Sequence, residues 1–175
     1  MTKLLRMTAL AASVAATAIA ATPAVAAPVG AATPATARAR IVKPLVLTAT
    51  RNLDFGIITT GTVAVGGETV TLSQAGVVTT CGSGGLTCSG APQSGGYGVQ
   101  GTNNQVVQIF AVASNLTNAN DGSLLSFTPS APATLTLTNA GAPGTPFSVG
   151  GSITILPATT DGTYTGNMNV TVDYQ

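Results

Sequence analysis

Few side chains in this sequence have the types and spacing needed to do chemistry. The chain of 175 residues has five Asp or Glu residues, two cysteines and no histidine. Without an imidazole there is no Ser-His-Asp or Cys-His arrangement and no histidine metal ligand. Two carboxylate pairs have the composition of a glycosidase site, Asp54 with Glu68 and Asp121 with Asp161, but no further polar residues accompany them. The sequence therefore predicts a protein that is not an enzyme and has no catalytic residue.

One glycine pattern matches a dinucleotide-binding fingerprint, but only in its letters. Residues 96–101 read Gly-Tyr-Gly-Val-Gln-Gly, which fits G-x-G-x-x-G. The fingerprint requires a helix that begins after the third glycine and points its N-terminus at the pyrophosphate. Residues 102–105 read Thr-Asn-Asn-Gln and lead into an alternating strand pattern instead. We therefore predict no cofactor.

A cluster of oxygen-bearing side chains suggests calcium. Asn118, Asn120 and Asp121 could each offer an oxygen ligand to a hard cation. Only one of the three is charged, and no Glu lies at the far end of a twelve-residue loop. The same residue types before Gly122 are those that a tight turn selects. The pattern predicts a turn and no metal site.

The two cysteines, Cys81 and Cys88, are seven positions apart. That spacing is too wide for a Cys-x-x-Cys redox pair, and the further ligands of a zinc site are missing. In an oxidising compartment two such cysteines form a disulfide. Closing so short a loop contributes about 2–3 kcal/mol to the free energy of unfolding by the chain-entropy estimate. We therefore predict a disulfide between Cys81 and Cys88.

The first residues predict export. Lys3 and Arg6 precede an apolar run that ends in small residues, which is the pattern of a secretory signal peptide over residues 1–26. We expect the mature chain in the periplasm, on the cell surface or outside a Gram-negative bacterium. It would hold four basic against five acidic residues, a net charge of −1. It therefore lacks the basic cluster that nucleic-acid binding needs, and no later apolar run is long enough for a transmembrane helix.

The mature chain divides into an arm and one domain. Residues 27–40 are small residues with two prolines, which predicts a flexible Ala/Pro/Thr arm. Residues 41–175 are rich in Val, Ile and Thr with closely spaced turn residues, which predicts a single all-β domain. Strands are predicted at 41–48, 53–59, 62–65, 68–72, 105–112, 123–128, 133–138, 152–156 and 163–174. So many short strands favour a two-layer antiparallel sandwich.

Three finer predictions concern how these strands connect. Gly66 and Gly67 predict a hairpin between 62–65 and 68–72. The strand at 123–128 is predicted to pair with 105–112. The segment 82–101 has eight glycines in twenty residues, which predicts a mobile surface loop pinned by the disulfide.

The last predicted strand has the clearest pattern. From Thr163 to Tyr174, five of the six even-numbered residues are apolar, and all six odd-numbered residues are polar. Neighbouring side chains on a strand point to opposite faces, so one face of this strand lies on a core and the other on water. The final strand is therefore predicted to be an integral part of the sheet.

Two segments resemble a known protein family. Residues 53–56 read Leu-Asp-Phe-Gly, and residues 162–175 read Gly-Thr-Tyr-Thr-Gly-Asn-Met-Asn-Val-Thr-Val-Asp-Tyr-Gln. Both resemble an exported bacterial family known only as a domain of unknown function, which is similar to spore coat protein U and to chaperone-usher fimbrial subunits. In those fimbrial subunits a glycine 14 residues from the end and a penultimate tyrosine delimit the strand that a periplasmic chaperone grips. Gly162 and Tyr174 coincide with these two positions.

The resemblance implies an immunoglobulin-like sandwich that lacks one edge strand. A chaperone, and then the arm of the next subunit, would supply that strand by addition to an open sheet edge beside an apolar groove. Residues 27–40 would be the donating arm. The partner-binding strand would carry Gly162, Tyr164, Met168, Val170, Val172 and Tyr174.

These observations together predict an exported, non-enzymatic structural protein. It would be a subunit of a fimbria-like or surface-coat assembly that acts by β-strand addition, with further copies of itself or a periplasmic chaperone as partner. A charged fraction of 6% favours assembly, because a neutral polar surface has little repulsion opposing self-association. A second function stays open: a monomeric secreted sandwich that binds a small molecule or glycan through loops near Tyr97.

Overall fold

The computed structural model describes residues 28–175. The predicted signal peptide, 1–26, and the first residue of the predicted arm, Ala27, lie outside the described residues. The chain divides into two compact units, 1–39 and 40–175. In the first unit, residues 28–39 contain no helix or strand.

Within residues 28–175 the chain forms thirteen strands and no helix. The strands are β1 (Val46–Arg51), β2 (Ile57–Thr60), β3 (Glu68–Leu72), β4 (Val78–Cys81), β5 (Leu86–Ser89), β6 (Gly95–Gln100), β7 (Val106–Val112), β8 (Ser114–Asn118), β9 (Leu124–Ser130), β10 (Thr134–Thr136), β11 (Thr145–Ile155), β12 (Tyr164–Thr165) and β13 (Asn169–Tyr174). Every pairing between them is antiparallel. The predicted all-β antiparallel architecture is confirmed, and it is consistent with a β-sandwich.

The strands form three sheets. An eight-stranded sheet has the order β1-β6-β11-β9-β8-β12, and β3 joins it by pairing with both β11 and β4. A three-stranded sheet has the order β10-β7-β13, and β2 pairs with β5 alone. Only Ala113 separates β7 from β8. β12 pairs with β8 and β13 pairs with β7, so the final segment of the chain runs antiparallel to these two consecutive strands.

The apolar side chains form two clusters. The first cluster contains Phe55, Val70, Leu72, Leu86, Leu125, Phe127, Ile153 and Ile155. The second contains Tyr97, Val99, Val107, Ile109, Leu137, Phe147 and Val149. Among the described residues, Met168 is the one partly buried side chain that packs against both clusters. It therefore lies where the two cores meet.

The glycine-rich segment is where the sequence prediction was most wrong. Residues 82–101 were predicted to be a mobile loop, but they contain β5 and β6, and β6 lies between β1 and β11 with Gly95 to Val99 all buried. A Cβ atom at Gly98 would overlap the carbonyl oxygen of Pro143. Glycine is therefore needed here for close approach of neighbouring backbones and not for flexibility.

Two predicted pairings were also wrong. Residues 62–65 form no strand; the Gly67 N–H donates to the Ala64 carbonyl oxygen at 2.8 Å and closes a turn, while β3 pairs with β11 and β4. The segment at 123–128 forms most of β9, which pairs with β8 and β11, whereas β7 pairs with β10 and β13. In both cases the strand also pairs with β11, a partner that is distant in the sequence and that local patterns did not indicate.

The predicted alternation of the last strand is confirmed along β12 and β13. Tyr164, Val170, Val172 and Tyr174 are partly buried, and the odd-numbered residues of both strands are exposed. The single predicted strand is interrupted, because residues 166–168 belong to no strand. At this point the four residues 113–116 lie between the paired positions of β7 and β8, opposite the three residues 166–168, so the register shifts by one residue.

The outer edge of β13 has no strand partner among the described residues. The Gln175 N–H donates to the Val106 carbonyl oxygen at 3.1 Å. This bond shows which residues of β13 form backbone hydrogen bonds with β7. Hydrogen-bonded positions alternate along an antiparallel pair, so Thr171 and Asp173 bond to β7. The N–H and C=O groups of Val170 and Val172 therefore point to the free edge.

Amide hydrogen exchange should report this alternation directly. In the monomeric domain the amides of Thr171 and Asp173 should exchange slowly, because they are bonded to β7, while those of Val170 and Val172 should exchange much faster. Residue-resolved exchange by NMR measures both sets in one sample. Equal protection of all four amides would contradict a free edge at β13.

A second prediction concerns the buried glycine strand. Gly98→Ala should lower the free energy of unfolding by about 1–3 kcal/mol, because the added methyl group would be forced against the Pro143 carbonyl. Gly66→Ala is the matched control, since nothing lies within 4 Å of a Cβ at that exposed position. Urea denaturation of both variants measures the difference. Equal stability of the two would mean that β6 tolerates side chains.

Candidate functional site

An open apolar groove runs between two segments of the domain, 49–60 on one side and 159–168 on the other. Its volume is about 980 Å³. The floor consists of side chains of the first core cluster and its neighbours: Leu116, Leu125, Phe127, Ile153 and Ile155. The groove is therefore lined by side chains of the first core cluster, and Leu125, Phe127, Ile153 and Ile155 are each no more than 5% exposed.

One wall of the groove follows the free edge of the final segment. The Ala119 N–H donates to the Thr163 carbonyl oxygen at 3.0 Å, so Thr163 and Thr165 face β8. The N–H and C=O groups of Tyr164 then point away from β8. This wall thus presents unpaired backbone groups beside the apolar floor.

The opposite wall follows β2, which pairs on one side only, with β5. The Gly61 N–H donates to the Gly85 carbonyl oxygen at 2.7 Å, which places Ile57 and Thr59 in hydrogen-bonded register with β5. The backbone groups of Ile58 and Thr60 therefore point away from β5. Two unpaired strand edges border the same groove.

The β2–β5 ribbon is joined to the main sheet by the predicted disulfide, which is present with an S–S distance of 1.96 Å. Cys81 ends β4, in the eight-stranded sheet, and Cys88 lies in β5, opposite Ile58 of β2. A further link is the pair of backbone hydrogen bonds between Asp54 and Gln93, both 2.8 Å. The disulfide thus connects one wall of the groove to the body of the domain.

Glu68 holds the loop that the disulfide closes. Its side chain is 5% exposed, and its carboxylate accepts the N–H groups of Ser83 at 2.8 Å and Gly85 at 3.0 Å. A Cβ atom at Gly82 or Gly85 would overlap this carboxylate. Because Glu68 is fully engaged by backbone donors, and Asp54 accepts the Gly56 N–H at 2.8 Å, the two acids have structural roles.

The predicted turn at 118–122 forms one end of the groove region. The Gly122 N–H donates to the Asn118 carbonyl oxygen at 3.0 Å, and the buried Asn118 side chain donates to the Asp161 carbonyl oxygen at 3.1 Å. Hydrogen bonds from Ser123 and Thr160 lower the pKa of the exposed Asp121 carboxyl. This polar cluster joins the turn to the segment that forms the groove wall.

Tyr164 belongs to the same cluster. Its hydroxyl donates to the Thr160 carbonyl oxygen at 2.8 Å and lies 3.1 Å from the Ser123 hydroxyl. Hydrogen bonds with Ser123 and Thr160 lower the pKa of the Tyr164 phenol. The ring packs against the first core cluster, so one residue anchors both the floor and the rim.

The residues predicted for the partner-binding strand separate into two sets. Gly162, Tyr164 and Met168 line the groove. The other three, Val170, Val172 and Tyr174, lie on β13 and pack against the second core cluster. The Tyr174 hydroxyl donates to the Lys43 carbonyl oxygen at 2.7 Å and accepts the Thr102 N–H at 2.8 Å, so this side chain ties the strand to the domain.

Sequence reasoning missed the opposite wall. Residues 53–59 were predicted as a strand but not as part of a site, and Leu53 and Phe55 were noted also for a family resemblance. Every residue from 53 to 60 except Thr59 lines the groove. The signal that could have identified them is the apolar alternation of Leu53, Phe55 and the residues that follow, beside a strand with no predicted partner.

Other chemistry receives no support from the described part of the chain. The glycine pattern at 96–101 covers β6 and the residue after it, with no helix behind it. Across residues 28–175 there is no group of three or more Cys, Asp or Glu side chains placed to hold a metal ion. The same residues include no helix of the length and apolarity required to cross a membrane.

A family model described as "Domain of unknown function (DUF4402)" matches residues 45–174. The match includes every strand of the domain and both walls of the groove. No curated protein and no solved structure matches the chain.

Replacing both cysteines tests the link between the disulfide and the groove. Cys81→Ser with Cys88→Ser should lower the free energy of unfolding by about 2–3 kcal/mol, because the unfolded chain is no longer constrained. The amide of Thr59 should exchange faster, because the β2–β5 ribbon loses its covalent link to the main sheet. At Thr171 the difference between the free energy of amide exchange and the free energy of global unfolding should stay the same. Thr87→Ser, an exposed change on β5, is the control. Equal loosening of both amides would show that the disulfide does not act on the ribbon in particular.

Proposed function

We propose that this chain, which belongs to the DUF4402 family of domains of unknown function, is an exported structural subunit that assembles by accepting a β-strand of another polypeptide. The assembly would be fimbria-like or a surface coat, and no catalysis would be involved. One observation carries the proposal: two unpaired strand edges border one groove that is lined by apolar side chains of the first core cluster. The resemblance of residues 162–175 to chaperone-usher fimbrial subunits supports it.

The chemistry of the groove favours a strand over a small ligand. The edges at Ile58, Thr60 and Tyr164 offer backbone donors and acceptors at the regular spacing that another backbone matches. The floor between them is apolar, so every second side chain of an added strand could be buried there. A small molecule would satisfy only a few of these groups. Strand addition would satisfy both edges and cover the floor in one step.

The first candidate for the donor is the arm of a second copy. After Pro34, residues 35–39 alternate Ala with Thr36 and Arg38, which is the period of a strand with one small apolar face. Asp54 and Asp161 lie among the groove-lining residues and would attract the Arg38 guanidinium. A periplasmic chaperone would use the same edges before assembly, because the unpaired strands need cover until a donor arrives.

The alternative, a monomeric module that binds a ligand through loops near Tyr97, loses the feature on which it was based. Tyr97 is 8% exposed and lies within β6. Its ring stacks on Phe147 with 5.4 Å between the centroids. No loop therefore presents Tyr97 to a ligand, and the structural function is the better supported one.

An unheated denaturing gel tests the assembly. The mature chain should form a ladder of stable oligomers, because an added strand is held by many backbone hydrogen bonds and by a buried face. Deleting residues 27–39 should abolish the ladder. The deletion ends before Arg40 because the Arg40 side chain donates to the Gln175 carbonyl oxygen at 2.8 Å. A clean monomer with cooperative unfolding in both proteins would overturn the proposal.

Two groove variants and one control locate the binding surface. Leu53→Asp places a charge among the groove-lining residues, and Thr60→Pro removes an unpaired edge N–H without touching the core. Both should lose the ladder. Val112→Asp adds the same charge at a position that is 58% exposed on β7 and should keep it. If Thr60→Pro assembled as well as the unaltered chain, the β2 edge would not be part of the interface.

A further inference from the structure

We propose that Met168 is an oxidation site, and that its sulfoxide prevents the groove from accepting a strand. The inference rests on the proposed function, since it concerns the same groove. The oxidant would be a two-electron oxygen donor such as hydrogen peroxide or hypochlorous acid, which exported proteins meet directly.

Among the partly buried apolar side chains of the described residues, only Met168 packs against both core clusters. It is partly buried, lines the groove and packs against both core clusters. Its terminal methyl and sulfur cover Gly95: a Cβ atom built there would lie 2.6 Å from Cε and 3.4 Å from Sδ. The thioether thus fills the space that the absent side chain of Gly95 leaves, across the gap between the clusters.

Met168 is also the one sulfur within residues 28–175 that is open to this chemistry. Cys81 and Cys88 are joined in the disulfide, and no free cysteine is present among the described residues. The two other methionines, Met1 and Met7, belong to the predicted signal peptide. Oxidation of the mature domain by one oxygen atom therefore has a single site to act on.

The groove gives an oxidant an approach to the Met168 side chain, because Met168 is partly buried and is one of the groove-lining residues. A lone pair of Sδ attacks one peroxide oxygen, the O–O bond breaks and water leaves. A new S–O bond remains, so the thioether is oxidised by two electrons and the peroxide is reduced to water. With hypochlorous acid, chloride and a proton leave instead.

The product would change the character of the groove at its centre. A methionine side chain is flexible and apolar, so it can move aside for an incoming side chain and close over the gap again. The sulfoxide is polar, larger and chiral. Next to Leu53, and with Gly95 leaving no spare room, its oxygen would have to remain in the groove to reach water. A donor strand would then either bury the sulfoxide oxygen without a hydrogen-bond donor or fail to bind in the groove.

Peroxide treatment of the mature chain tests the proposal. Intact mass should rise by about 16 Da, the mass of one oxygen atom, and peptide mapping should place it on Met168. Chain that is oxidised before assembly should give at least about tenfold less oligomer on the unheated gel, as expected when a buried polar group is left without a partner. Treatment with methionine sulfoxide reductases for both epimers should restore the ladder.

Met168→Leu supplies the matched control. Leucine is apolar and of similar volume but has no sulfur, so whatever amount of oligomer this variant forms should be the same with and without peroxide. Thermal unfolding of oxidised and unoxidised chain, followed by circular dichroism, should remain cooperative, which separates loss of strand acceptance from loss of the fold.

The outcomes separate the two proposals. If the untreated chain forms no ladder, the proposed function fails and the role of Met168 fails with it. If fully oxidised chain forms the same ladder as untreated chain, the proposed function stands and the inference about Met168 is overturned. Loss of the Met168→Leu ladder on peroxide treatment would also overturn it, because the effect would then come from another group.

Discussion

The structure depends on one constraint: backbone groups at a strand edge need partners, and the apolar floor beside them needs cover. In water the N–H and C=O groups of Ile58, Thr60 and Tyr164 can bond to solvent, but the apolar side chains between them cannot. Proteins usually protect such edges with Lys, with proline or with a covering loop. The final strand has none of these at Val170 or Val172, where apolar side chains accompany the free backbone groups. In the proposed assembly this open edge would be one half of an interface.

The glycine-rich strand β6 explains how a domain with so few charged residues can nonetheless fold tightly around an open groove. Because Gly96 and Gly98 carry no side chains, β1 and the loop before β11 approach the β6 backbone closely. The apolar side chains of β13 pack against the second core cluster. The groove lies beside the first core cluster, between the unpaired edges of β2 and β12.

The sequence was informative where a pattern depends on one strand alone. The alternation from Thr163 to Tyr174 was readable because a half-buried strand leaves a period of two in its own residues. Other features depend on partners far away in the chain: Val70 lies opposite Ile153, and Ile58 lies opposite Cys88. A single sequence does not show which strands pair, so the apolar alternation that begins at Leu53 indicated a strand without identifying it as a groove wall. The glycines at 82–101 misled for a different reason, since glycine suits both a loose loop and a closely packed strand.

The groove combines one fixed wall with an adjustable side chain on the other wall. The disulfide and the buried Glu68 carboxylate hold the β2–β5 ribbon in place. If a strand is added there as proposed, a ribbon that is already ordered would lose less entropy on binding, which would strengthen the complex without adding a contact. Met168 has the opposite property, because an unbranched thioether can adopt several packed arrangements at little energetic expense. In the proposed assembly the rigid edge would set the register of the added strand, while the flexible side chain at the junction of the two core clusters would accommodate the side chains of that strand.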